Sequence, residues 1–196
     1  MTKTRVAVLI SGRGSNMTAL IEAARAPDFP AEIVLVVSNR PQAAGLSRAH
    51  DAGIATALVD HTAFGEDRQA FEQALDAELV AHRIEIVCLA GFMRLLSPWF
   101  VSRWSGRMLN IHPALLPQFK GLHTHRRALE AGVTRHGATV HFVVPQMDSG
   151  PIVVQESVPV IADDTEETLA ARVLEVEHRI YPQALRLVAE GRQAEK

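Results

Sequence analysis

The 196 residues carry 47% hydrophobic and 21% charged side chains with a formal net charge of −2, proportions that fit one globular domain, or one domain with a small appended lobe. So balanced a charge offers no basic stripe for nucleic acid and no polybasic segment for a membrane surface. The single cysteine, Cys88, can form no internal disulfide, suits a reducing cytosol, and reads as a small buried hydrophobe rather than a nucleophile.

The N-terminal stretch leads from Arg5 into only five apolar residues before Ser11. That is too short for a secretory h-region, and no apolar run approaches a membrane span. A cytoplasmic soluble protein is expected. No internal repeat or low-complexity tract occurs, and the polar tail Gly191 to Lys196 is expected to fray.

Residues 5–10 form a continuous apolar run, the pattern of a parallel strand covered on both faces. Ser11-Gly-Arg-Gly-Ser-Asn16 follows, then a helical pattern with Met17, Leu20, Ile21 and Ala24 on one face. Strand, glycine-rich turn and helix together present free backbone N–H groups to a phosphate. Met17 holds the third glycine position of a dinucleotide fingerprint and no Gly-Lys-Ser/Thr occurs, so a phosphate monoester is favoured over a dinucleotide or a nucleoside triphosphate. An ordinary strand-to-helix turn is the alternative.

A second strand is expected over 33–38, with a helix opened by Asn39-Arg40-Pro41 and running to about Ala52. A third strand covers 55–59, a helix about 68–82 turns Phe71, Leu75 and Leu79 inward, and a fourth strand covers 84–90. Ser97-Pro98 reads as an N-cap with proline at the first helical position. The fifth strand, Met108 to Ile111, stops at His112 before a proline. This alternation specifies an α/β fold: a Rossmann-like doubly wound, mostly parallel sheet, with ligands outside the carboxyl ends of its strands. The 12–16, 91–96 and 110–112 segments then share one rim. Beyond Pro117 the pattern changes to a two-turn helix capped by Thr124, strands over 139–144 and 152–160 extending the sheet antiparallel, and a late helix. That helix is expected to start in a capping box led by Asp164 and to be interrupted by Pro182.

Residues two apart in a strand share a face, so Asn110 and His112 point together while Ile111 points into packing. An amide and an imidazole at a strand end can grip a polar carbonyl oxygen; a turn former and a satisfied core histidine are the alternative reading. Asp148, in the turn Gln146-Met-Asp-Ser-Gly-Pro151, can accept from an imidazole, favour its cation and hold a water for proton transfer. A structural turn aspartate is again the alternative. His141 lines the site without acting in catalysis. No Cys or carboxylate joins His123, His125 and His136 at metal-ligand spacing, so no metal is expected.

Asn110-Ile-His-Pro-Ala-Leu-Leu-Pro117 and Asp148-Ser-Gly-Pro151 resemble the signature of the folate-dependent formyltransferases. Ile10-Ser-Gly-Arg-Gly-Ser-Asn16 and Ala90-Gly-Phe-Met-Arg94 narrow the likeness to the purine-pathway branch of that family, along essentially the whole chain. The resemblance implies transfer of a formyl group from 10-formyltetrahydrofolate, as co-substrate and without a metal, to the amine of glycinamide ribonucleotide. Asn110, His112 and Asp148 would then be catalytic, with Asp148 raising the pKa of His112. Gly14, Ser15, Asn16 and Glu177 would hold the ribonucleotide. Arg68, Met93, Arg94, Leu95, Leu96, Val144, Pro145, Gln146 and Met147 would bind folate. It also implies a single formyltransferase domain over 1–196, with a phosphate-binding half (1–111) and a folate-binding C-terminal half (112–196). Small-molecule substrates, no nucleic acid, no membrane, and a monomer or homodimer are expected. Relatives that formylate methionyl-tRNA or hydrolyse formyl-folate carry a further domain, which is not expected here. A non-catalytic phospho-sugar or folate sensor would not need Asn110, His112 and Asp148 together.

Overall fold

Strands β1 (Thr4–Ile10), β2 (Ala31–Ser38), β3 (Ala55–Leu58), β4 (Ile86–Leu89), β5 (Met108–His112), β6 (Arg135–Phe142) and β7 (Ile152–Pro159) join in one sheet in the order β3-β2-β1-β4-β5-β6-β7. The pairs from β3 to β5 are parallel, and β5–β6 and β6–β7 are antiparallel. The computed structural model describes residues 2–191, so the tail expected to fray lies, after Gly191, outside the described residues. The strand order reverses between β1 and β4, and a crevice opens at such a switch point. The loops after β1, β4 and β5, strands that are neighbours, all open onto that carboxyl edge.

Alternation along β1 sorts its side chains into two cores. Val6, Val8 and Ile10 pack with Met17 and Leu20 of α1 (Ser15–Ala24) and with Leu169, Val173, Ile180 and Tyr181 of α6 (Glu166–Ala189). Ala7 and Leu9 face the other way, toward Phe71, Leu75 and Leu79 of α3 (Arg68–Ala81) and Phe100 of α4 (Pro98–Arg103). A register shift opposite Val6 and Ala7 puts Ile33 in the first core and Leu35 in the second, which keeps β2 in phase with β1. On β5, Leu109 and Ile111 join the α6 side, leaving Asn110 and His112 on the opposite face, as the period of two requires.

The helices depart from the sequence pattern in four places. α2 (Ala44–Asp51) starts later than the Asn39-Arg40-Pro41 opening, because local hydrogen bonds compete with the helix there: the Ser38 hydroxyl donates to the Arg40 carbonyl and accepts the Arg40 N–H. α5 (Thr124–Glu130) is preceded by His123 in a left-handed conformation, and Thr124 is helical, buried and not the cap. The capping box of α6 is Thr165 with Thr168; Asp164 is committed to a bidentate pair with Arg172. Finally, α6 runs unbroken through Pro182. An internal proline costs about 3 kcal/mol, and burying Ile180, Tyr181 and Leu185 at roughly 1.5–3 kcal/mol each outweighs it. Strand β6 also begins earlier than the pattern suggested, at Arg135. Among the described residues no helix is long and apolar enough to cross a membrane.

α6 is pinned to the neighbouring strands β4 and β5 by Tyr181, fully buried, whose hydroxyl lies 3.0 Å from the Leu89 carbonyl and 3.2 Å from the Leu109 carbonyl. Tyr181→Phe should therefore lower unfolding stability by about 1–3 kcal/mol, read from urea denaturation; an unchanged midpoint would mean that the hydroxyl contributes nothing to the pin.

Candidate active site

The β5–β6 ladder places Asn110 directly opposite His141, and His112 opposite Thr139. His141 Nδ1 lies 2.9 Å from the Phe142 carbonyl, which can only accept, so that nitrogen carries the proton and Nε2 is left as an acceptor. The Asn110 amide donates to it at 3.2 Å. One amide hydrogen of Asn110 is thereby used to orient the group, and among the described residues the other has no hydrogen-bond partner. The sequence reading gave His141 no more than a lining place. The signal that finds its contact with Asn110 is strand register, which no local pattern supplies.

The same reasoning fixes His112, which is 5% exposed. Its Nε2–H donates to the Phe119 carbonyl at 3.0 Å, and Nδ1 faces an Asp148 carboxylate oxygen at 3.5 Å. The other Asp148 oxygen is 3.7 Å from His141 Nε2, and the Gly121 N–H donates to the first at 2.8 Å. Asp148 itself holds a left-handed φ of +48°, tolerable for an aspartate in a turn. Two residues on, a Cβ at Gly150 would fall 1.7 Å from the Phe142 carbonyl oxygen, so only glycine closes the turn this tightly.

Burial pushes the His112 imidazole below its ordinary value; the Phe119 carbonyl and Asp148 act upward without offsetting it, and His141 and Arg127 add to the depression. This corrects the expectation that Asp148 leaves His112 with a raised pKa. The carboxylate does act in that direction, but desolvation is larger, and the neutral ring is the resting form. For Asp148, burial acts upward, yet His141, the Gly121 N–H and the His112 ring together hold the carboxyl below the usual range. A charged carboxylate thus faces an unprotonated imidazole nitrogen across the cleft, an arrangement ready to receive one proton.

Beside β5, residues 12–16 with Ala90 and Gly91 line a cavity of about 150 Å³. α1 has no side-chain cap, and Gly14 enters it with φ +73°, so the first-turn amides are left for a ligand. A side chain at Gly14 would meet the Gly45 Cα at 3.1 Å. The structure brings together the two residues expected here from distant parts of the chain: the Asn16 amide donates to Glu177 at 2.5 Å. Burial pushes the Glu177 carboxyl up against the pull of Asn16, and the Asn16 Oδ1, buried, has no hydrogen-bond partner among the described residues.

The remaining expected residues form the outer rim. Met93 and Leu95 are 59% and 63% exposed and Met147 is 51% exposed, so none of them is core. Pro145 and Gln146 are exposed, Arg94 and Val144 half-buried. Leu96 packs partly against the α3–α4 core. Arg68 opens α3 on the exposed surface, and among the described residues no hydrogen bond or ion pair joins its side chain to Asn110, His112 or Asp148. Among the described residues, too, no three His, Cys, Asp or Glu side chains are arranged to hold a metal ion.

With this geometry, comparison with known proteins is decisive at the level of family. The formyl transferase family profile matches residues 4–185. The chain belongs to the formyl transferase family. Within that family it is 48% identical over 187 residues to phosphoribosylglycinamide formyltransferase of Escherichia coli (strain K12), covering 95% of this chain and 88% of that protein. It is 54% identical over 189 residues to the bovine trifunctional purine biosynthetic protein adenosine-3, matching 96% of this chain but spanning only 19% of the length of that relative. Its fold superposes on the crystal structure of phosphoribosylglycinamide formyltransferase from Brucella melitensis with a TM-score of 0.92, at 54% identity and 96% coverage of each chain. In the present member of the formyl transferase family, the histidine-rich side of the cleft continues beneath Phe119. There the His136 ring meets Phe119 at 5.8 Å and His125 at 5.3 Å, both edge to face.

Burial, with a further push from His125, drives His136 from 6.5 down to about 4. The unfolded chain therefore takes up this proton first, so the contribution to stability is complete above about pH 6.5 and is lost as pH falls toward about 4. His136→Phe should flatten part of that decline. Urea midpoints at several pH values across this window check it, and an unaltered slope would exclude His136 as its source.

Proposed function

We propose that the chain transfers a formyl group from 10-formyltetrahydrofolate to the amine of glycinamide ribonucleotide in purine biosynthesis, by direct attack and without a covalent enzyme intermediate. The observation that carries this reading is the Asn110–His141 and His112–Asp148 arrangement, set between a phosphate-sized cavity and an apolar rim. The enzyme-catalysed step needs two reactants held in contact, an oxyanion stabilised, and a proton moved from the attacking nitrogen to the leaving one. In this reading the free amides of Gly14, Ser15 and Asn16 receive the phosphate monoester, and Asn16 with Glu177 meets the polar groups beyond it. Met93, Leu95 and Met147 give the folate an apolar surface, the half-buried Arg94 and Leu96 complete that wall, and the turn backbone from Val144 through Pro145 and Gln146 reads the edge of its heterocycle. Arg68 contributes only if its side chain swings over the rim.

The amine attacks the formyl carbon, and the formyl oxygen becomes an oxyanion within reach of the second Asn110 amide hydrogen. His112 Nδ1 takes the proton released by the attacking nitrogen. The cation so formed is stabilised by Asp148 and by the Phe119 carbonyl, and the proton passes to the folate nitrogen as the carbon–nitrogen bond breaks. His141 acts by orienting Asn110 and by sharing the Asp148 carboxylate. Residues 1–196 then work as a single formyltransferase domain, with 1–111 supplying the phosphate side and 112–196 the folate side. Small-molecule substrates, a cytoplasmic setting and a monomer or homodimer belong to the same reading.

The direct test mixes protein with formyl-folate and follows folate absorbance with and without glycinamide ribonucleotide. Release that requires the ribonucleotide is expected; release in its absence would make the protein a hydrolase. Asn110→Ala should lower kcat by about 100- to 1,000-fold, the usual cost of one oxyanion donor, with both KM values little changed. Steady-state kinetics with each substrate varied checks this, and a loss confined to KM would remove Asn110 from the transition state.

A further inference from the structure

Ser11 stands immediately before the phosphate loop, yet its hydroxyl is engaged by two other segments of the chain. It is 6% exposed, accepts the backbone N–H of Met93 at 2.8 Å and donates to Asn39 Oδ1 at 2.5 Å. Asn39 is itself 1% exposed and is held from behind by His61, whose Nδ1 lies 2.8 Å from the Asn39 carbonyl. The Ser11 hydroxyl thus uses its single hydrogen on Asn39, which leaves its oxygen lone pairs to the Met93 amide and fixes their direction.

Along the 91–96 segment Phe92 and Leu96 pack partly against the α3–α4 core, while Met93 and Leu95 project outward. Beyond its far end the Ser97 N–H lies 2.6 Å from the buried Glu72 carboxylate, and among the described residues the Met93 amide is held by the Ser11 hydroxyl. A segment whose side chains face solvent can hold a heterocycle at fixed distance only if its backbone is fixed by other means. We propose that Ser11, with Asn39 behind it, is a positioning residue for the folate wall: its hydroxyl sets the place of the Met93 backbone, although its neighbours in sequence serve the other substrate. The inference rests on the reading that 93–96 lines the folate site, and it predicts a separation that sequence proximity would not. Ser11 governs the one-carbon donor, and Ser15, four residues on, governs the ribonucleotide.

The experiment compares Ser11→Ala, Ser11→Thr and Ser15→Ala in the full chain. Ser11→Ala should raise KM for formyl-folate at least tenfold and leave KM for glycinamide ribonucleotide within about twofold. Ser11→Thr, which keeps the hydroxyl, should return most of the loss, and Ser15→Ala should show the opposite split. An unchanged folate KM in Ser11→Ala, a rise only in ribonucleotide KM, or an equal rise in both would overturn the proposal. Amide hydrogen exchange on the substrate-free protein gives a readout independent of turnover. The Met93 amide should exchange at least tenfold faster in Ser11→Ala, with the Ser15 and Asn16 amides unaffected; unchanged protection at Met93 would equally overturn it. If Ser11→Ala fails to fold, Asn39→Ala removes the acceptor that aims the hydroxyl, and both readouts should move in the same direction. Absence of any formyl transfer by the unmodified protein would defeat the reading of its function, and the exchange measurement would still decide whether Ser11 holds Met93.

Discussion

Asn110 and His141 face each other across the antiparallel β5–β6 ladder, and that pairing governs the arrangement at the rim. In a purely parallel sheet, the strand next to β5 would run alongside it and end at the same edge. Here β6 runs back from the rim, which places His141, close to its far end, against Asn110, the middle residue of β5. The chain leaving β6 then turns at once through 145–151 and returns as β7, so Asp148 is presented over the two histidines. The departure from the doubly wound pattern is therefore the part of the fold that gathers Asn110, His141 and Asp148, while the parallel half supplies a rigid edge and a cavity of about 150 Å³.

The electrostatic state of this cluster follows from competition between desolvation and pairing. Both effects act on His112, and desolvation prevails. Both act on Asp148, and its surroundings prevail. The difference lies in those surroundings: Asp148 accepts the Gly121 N–H and stands between two imidazoles, whereas His112 finds one carbonyl and one carboxylate. The outcome is a separated pair, an anion and a neutral base, that becomes an ion pair when a proton arrives. Backbone carbonyls at Phe119 and Phe142 settle the two tautomers, so the loop over 118–123 orients His112 through its main chain.

Much of the parallel half was legible in the sequence because continuous apolar runs such as 6–10 and 86–89 have few alternatives, and period-two logic put Asn110 and His112 on one face. The errors arose where nonlocal or competing contacts decide the outcome. Tertiary burial carries α6 through Pro182, and Arg172 draws Asp164 out of the capping role. Side-chain bonds from Ser38 hold residues 38–40 out of α2. At the site, Asp148 was singled out by its turn and by family resemblance, and the sense of its effect on His112 was right while the net shift was not. His141 could be placed near the cleft but not against Asn110, because that contact depends on the register of strands separated by a long connection. The grip of Phe119 on His112 needs a left-handed φ of +53° at a bulky residue, for which the sequence carries no signal.

The Phe142 carbonyl oxygen serves two neighbours: it receives the His141 N–H, and Gly150 packs so closely over it that no side chain fits. The tautomer of His141 and the geometry of the carboxylate turn are thus locked together at a single atom. The apolar rim carries no such lock, since Met93, Leu95 and Met147 stand out in solvent. On the proposed function, donor preference and reaction chemistry are accordingly separable traits in this scaffold. Redesign toward a different acyl carrier has room to vary the rim side chains, while position 150 and its contact define the boundary that any such redesign must respect.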